Sequence, residues 1–150
     1  MTRQDTYHQR AGAANRRAAA CHSPQVLPDH FVTRNGVTFA GTHLIADLWG
    51  AQRLDDRDLI EATLHRMVDA AGATLLHIHL HRFTPHGGIS GVAVLAESHI
   101  SVHTWPERDY GAFDIFMCGG AKPHAALDEL RRAYQPARVT ITEHRRGVIT

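Results

Sequence analysis

The chain has 150 residues, 16 basic and 15 acidic side chains, and a formal charge of +1. That length suits one domain with a real core, and the near-neutral balance removes the electrostatic case for nucleic acid or an anionic membrane as a partner. No apolar run approaches the roughly 18 residues that span a bilayer.

Residues 1–33 are rich in Ala, Arg, Gln and His without an apolar period, and read as a mobile N-terminal extension. Within it, "AGAANRRAAACHSP" lacks the continuous apolar stretch of a signal peptide. The two cysteines are too few for a disulfide framework. Cys21 falls in the extension and Cys118 at a predicted strand end, so no bridge is expected, and a soluble cytoplasmic protein is the natural reading. The ordered domain is expected over residues 34–150.

Its first strand is predicted in "GVTFAGTHLIADLWG", Gly36 to Gly50, which is rich in apolar and β-branched residues. "LDDRDLIEATLHRMVDAAG" predicts a helix. Asp55 or Asp56 supplies the cap, Ile60, Leu64, Met67, Val68 and Ala71 form one face, and Gly72 stops it. "ATLLHIHLHRF" reads as a strand, Pro85 to Gly88 as a turn, and "ISGVAVLA" and "HISVHTW" as two more strands. After a turn at Asp109 to Gly111, "AFDIFMCGG" is a fifth strand. A second helix follows over about Pro123 to Gln135, with Ala126, Leu127, Leu130 and Tyr134 on its buried face. "ARVTITEH" closes the domain as a strand.

The order β-α-β-β-β-β-α-β predicts an α+β fold, a two-layer α/β sandwich. Its sheet is largely antiparallel and both helices lie on one face. The other face must then meet solvent, a ligand or another subunit.

Three constellations could carry chemistry. His77, His79 and His81 alternate in "HIHLH" and share one strand face, as zinc or iron ligands would, but no fourth ligand stands at metal-site spacing. The other reading is a polar strand face at an interface or cavity. Cys118 precedes Gly119-Gly120, where a thiol is either an inert buried hydrophobe or a group reaching a cleft. Ser98 with His103 and Asp114 has the residue types of a hydrolase but no G-x-S-x-G elbow. On a straight strand Ser98 and His103 also lie on opposite faces, about 16 Å apart.

"GISGVAVLAESHISVHTWPE" followed by "YGAFDIFMCGG" closely resembles the prokaryotic S-adenosylmethionine decarboxylase proenzymes, small pyruvoyl-dependent enzymes of spermidine and polyamine synthesis. The resemblance runs from "GTHLIADLW" through "GATLLHIHLHRF" to "VTITEHRRG", about residues 36–147. It implies self-cleavage between Glu97 and Ser98, with Ser98 becoming the pyruvoyl group that forms a Schiff base with substrate. It further implies that His103 transfers protons in processing, that Ser90 assists, and that Cys118 is the proton donor in decarboxylation. Phe83, Trp105 and Glu107 are implied to bind substrate, Glu107 as an acceptor for ribose hydroxyls. The resemblance implies a homodimer of cleaved protomers with active sites near the interface.

Two departures stand out. "PHGGIS" carries an extra glycine, and "LLHIHLH" is unusually rich in histidine. Some relatives decarboxylate arginine or ornithine with the same pyruvoyl chemistry, which the processing motif does not distinguish. A histidine-rich metal-binding module, with Ser98 an ordinary hairpin residue, is the reading from a different class.

Overall fold

The computed structural model describes residues 30–149. Cys21 and most of the expected extension lie outside the described residues. Val32 and Thr33, which the sequence reading put in that extension, belong to a strand. β1 (Val32–Arg34) and β2 (Val37–Phe39) form an antiparallel hairpin across Asn35-Gly36, both with positive φ (53° and 76°). Asn-Gly is the preferred pair for such a turn, because both corners are left-handed. The single strand expected over Gly36 to Gly50 is therefore two, β2 and β3 (Gly41–Trp49). At the break, a Cβ on Gly41 would stand 2.7 Å from the Met117 carbonyl oxygen, so only glycine fits.

Helix α1 (Arg57–Ala71) starts where Asp56 accepts the Leu59 N–H at 2.9 Å, and stops at Gly72 with φ 69°. That hydrogen bond, with Arg53 beside it, holds the Asp56 carboxyl below the usual carboxylate range. β4 (Leu75–Arg82), β5 (Ile89–Leu95), β6 (Ser98–Trp105) and β7 (Tyr110–Cys118) follow as a meander. A 3-10 turn, Pro106–Arg108, joins the last two. α2 (Pro123–Tyr134) and β8 (Arg138–Arg146) complete the domain. The main sheet has the order β4-β5-β6-β7-β3-β8 and every pairing is antiparallel. This is the expected α+β sandwich, with one extra hairpin.

Alternation sorts the strand side chains. Leu44, Ala46 and Leu48 of β3, Ile100 and Val102 of β6, and Phe113, Ile115 and Met117 of β7 are buried against Ile60, Leu64, Met67, Leu127, Leu130 and Tyr134 of the helices. Burying each of the Leu, Ile, Val, Phe and Met side chains among these stabilises the domain by about 1.5–3 kcal/mol. The opposite face is open. Register places Val94, His99, Phe116, His43 and His144 in one row across it, and Trp105, Tyr110, Trp49 and Arg138 in another. Ile45, Trp49, Val94 and Trp105 are large hydrophobics left exposed there.

Candidate active site

The predicted site residues fall into two groups at opposite ends of β6. At its start, β5 and β6 join through the two-residue turn Ala96-Glu97. Glu97 has a φ of 66°. A non-glycine side chain there costs roughly 1–2 kcal/mol, because Cβ crowds the carbonyl oxygen. The strain sits on the residue whose carbonyl precedes Ser98. Ser98 keeps the parity of Ile100 and Val102, faces the helix side and is only 9% exposed. Its Oγ accepts the Cys118 backbone N–H at 3.1 Å. That bond uses a lone pair and leaves the hydroxyl proton free to be given up.

Glu97, Ser98 and Cys118 line one cavity of about 500 Å³, together with His30 and the Gly72–Thr74 and Gly119–Ala121 backbones. Cys118 is a free, half-buried thiol. Burial, and then the Glu97 charge, push its pKa above the usual thiol value. A thiol so placed keeps its proton at neutral pH and suits donation better than nucleophilic attack.

The other end of β6 carries the second group. Phe83, Ser90, Trp105 and Glu107 line a smaller cavity of about 240 Å³ with Thr84, His86, Gly88 and Thr104. His103 pairs with Ser90 across β5 and β6, its Nδ1 2.8 Å from Ser90 Oγ. Trp105 stacks on Tyr110 with ring centroids 5.2 Å apart, and Tyr110 stacks on Trp49 at 4.4 Å. The Tyr110 hydroxyl donates to Asp47 at 2.5 Å, and that bond with burial pushes its pKa up to about 12. Buried Thr104 anchors the loop behind the cavity, accepting the Ile89 N–H and donating to the Leu54 carbonyl, both at 2.8 Å. In the Gly87-Gly88 pair of this loop, a Cβ on Gly88 would meet the Thr104 carbonyl at 2.7 Å.

The chain does not bring the two groups together. His103 faces the open side with His99 and Ser101, while Ser98 faces the helices, five residues and about 16 Å back along β6. Asp114 is no third member of a Ser98 triad. It accepts from Ser101 at 2.8 Å and lies 3.5 Å from His43. The geometry does not favour the metal reading of "HIHLH" for a related reason. His77, His79 and His81 are exposed on edge strand β4 and face Val94, Val92 and Ser90 in turn. Alternate side chains stand about 7 Å apart along a strand, too far to share an ion without convergence. Among the described residues no group of three or more His, Cys, Asp or Glu side chains could hold a metal.

Sequence reasoning missed His30, His86 and Thr104. Thr104 had a signal, being a polar residue on the helix-facing parity of β6. His30 and His86 had none, because each reaches its cavity from outside regular strands and helices.

The family model described as S-adenosylmethionine decarboxylase matches residues 42–147. The chain belongs to the S-adenosylmethionine decarboxylase family. An S-adenosylmethionine decarboxylase proenzyme from Methanococcus maripaludis strain C7 is 46% identical over 112 residues, covering 73% of this chain and 91% of that protein. The proenzyme from Thermomicrobium roseum is 41% identical over 110 residues, covering 73% and 95%. The crystal structure of the adenosylmethionine decarboxylase from Aquifex aeolicus VF5 is 34% identical and superposes with a TM-score of 0.66 over 75% of this chain and 94% of that one. None of these relatives is named for arginine or ornithine, so those substrates are not favoured. Proenzymes of the S-adenosylmethionine decarboxylase family depend on a pyruvoyl group made by self-cleavage. The residues at the start of β6 fit such a group, with a buried serine, a strained preceding residue and a protonated thiol around one cavity.

Proposed function

We infer that this chain is an S-adenosylmethionine decarboxylase proenzyme that cuts itself between Glu97 and Ser98, and that its working site is shared between two copies. The observation that carries the reading is the Ser98 Oγ held by the Cys118 N–H directly after the strained Glu97.

Processing follows from those residues. Ser98 Oγ gives up its proton and bonds to the Glu97 carbonyl carbon. The peptide C–N bond breaks, the Ser98 nitrogen takes a proton, and an ester joins the two residues. The left-handed Glu97 relaxes as the bond breaks, so its strain favours the cut. Removal of the Ser98 α-proton then expels the Glu97 carboxylate. Water adds at the Ser98 α-carbon, and the nitrogen leaves as ammonia. The finished pyruvoyl group supplies an electron sink for the loss of carbon dioxide. In that step Cys118 donates the proton that replaces the lost carboxylate. Phe83 and Trp105 offer aromatic faces to the adenine and the sulfonium, and Glu107 accepts from the ribose.

His103 and Ser90 are too far from Ser98 in the same chain to serve this chemistry. Stacked on their open faces about a two-fold axis perpendicular to β6, two copies would lay the Ser98 end of one β6 against the Trp105 end of its partner's. The exposed Ile45, Trp49, Val94 and Trp105 would be covered in such a dimer. Each site then takes Ser98 and Cys118 from one copy and Ser90, His103, Phe83, Trp105 and Glu107 from the other. A cytoplasmic setting belongs to the same reading. No helix among the described residues is long and apolar enough to cross a membrane.

Intact-mass analysis tests the cut. Purified protein should contain fragments 1–97 and 98–150, the second with a blocked N-terminus, and should release carbon dioxide from S-adenosylmethionine. Active protein made of a single uncut chain would overturn the reading.

A further inference from the structure

One side chain at the Ser98 cavity comes from outside the family-matched residues 42–147. His30 stands just before β1 and is fixed from two sides. Its carbonyl accepts the Gly119 N–H at 3.0 Å, beside Cys118. Its Nδ1 lies 2.7 Å from Glu97 Oε2. The hairpin that follows is itself pinned to the domain, since Thr38 accepts the Ile149 N–H and Ala40 donates to the Arg146 carbonyl, both at 2.9 Å. His30 is thus held at the cavity by the fold.

Its contact is with the residue that most needs holding. Glu97 carries the carbonyl that Ser98 attacks, and its backbone sits in a region that glutamate disfavours. Fixing the Glu97 side chain limits rotation about its own backbone, and so fixes where the scissile carbonyl points. Among the described residues lining this cavity, His30 is the one able to carry a positive charge, and Glu97 and Cys118 are the other titratable groups.

We propose that His30 is a positioning residue for self-cleavage, holding the Glu97 side chain so that the scissile carbonyl stays directed at Ser98 Oγ. The proposal rests on the reading of Ser98 as the pyruvoyl precursor. His30 touches neither the hydroxyl nor the carbonyl, so it acts through Glu97. Both partners are about half exposed (48% and 49%), which limits the effect of the pair to a modest factor.

The test follows cleavage of freshly made full-length chain over time. His30→Ala should slow the appearance of fragment 98–150 by about three- to fivefold. His30→Asn should recover most of that rate, because its amide nitrogen stands where Nδ1 stood and asparagine tolerates the left-handed backbone (φ 57°) of residue 30. In a Glu97→Ala background, His30→Ala should add no further slowing. Wild-type speed in His30→Ala would overturn the proposal. So would equal slowing by the asparagine variant, or an undiminished effect without the Glu97 carboxylate. If wild-type chain never cleaves, the reading of Ser98 falls first and this proposal with it.

Discussion

The two ends of β6 differ in burial, backbone and chemistry. At the first, Ser98 is buried, the preceding residue is left-handed and a thiol stands by. At the second, Trp105 is 41% exposed, a 3-10 turn follows, and rings stack in the open. Covalent chemistry wants the first environment, because desolvation and strain act on the reacting bond. Recognition of a large cationic nucleoside wants the second, because flat exposed rings can be covered by a ligand. A strand separates them by alternation and by length, and in the proposed dimer a second copy in opposite orientation would reunite them.

Substitutions at each end should break different steps. Ser98→Ala has the largest expected effect: no fragments by intact mass and no carbon dioxide release, because no pyruvoyl group can form. Cys118→Ala should cleave normally yet turn over about 10²-fold more slowly, the lower range of a lost general acid. Unchanged turnover would remove Cys118 from the mechanism.

Trp105→Ala should leave cleavage intact and raise KM by roughly tenfold, consistent with about 0.5–2 kcal/mol of aromatic and cation–π contact. A pure loss in kcat would place Trp105 at the chemistry instead. Ser90→Ala should slow cleavage by only about fivefold, the worth of one hydrogen bond to His103.

The pH profile sharpens the same contrast. Burial and Glu97 raise the Cys118 pKa, and a raised pKa keeps the protonated donor form to higher pH. The alkaline limb of kcat for processed enzyme should therefore lie above the ordinary thiol value, and should vanish in Cys118→Ala. A limb below that value would contradict the donor role.

Much of this was legible in the sequence. Apolar periodicity, with caps on the first helix and a proline opening the second, marked both helices, and alternation marked the main strands and the opposite facing of Ser98 and His103. The Asn35-Gly36 pair carries the sequence signal of a left-handed hairpin turn, whereas the β-branched residues on both sides of Ala40 read as one strand and hide the break there. The left-handed Glu97 had no sequence signal, since glutamate is not a residue that marks positive φ. The His30–Glu97 contact joins residues 67 positions apart across an irregular segment, where no period helps. The roles of Ser98, His103 and Cys118 came from family resemblance, because spacing alone describes one strand and its edges rather than a site.

The shared site is tested most directly by mixing two inactive chains. Ser98→Ala and His103→Ala should each fail to process alone. Co-expressed, they should form mixed dimers in which intact Ser98 of one copy meets intact His103 of the other. The account predicts that the His103→Ala chain is then cut and that decarboxylation returns. No cleavage in a mixture shown to contain mixed dimers would contradict it, and would mean that His103 serves Ser98 within its own chain or not at all.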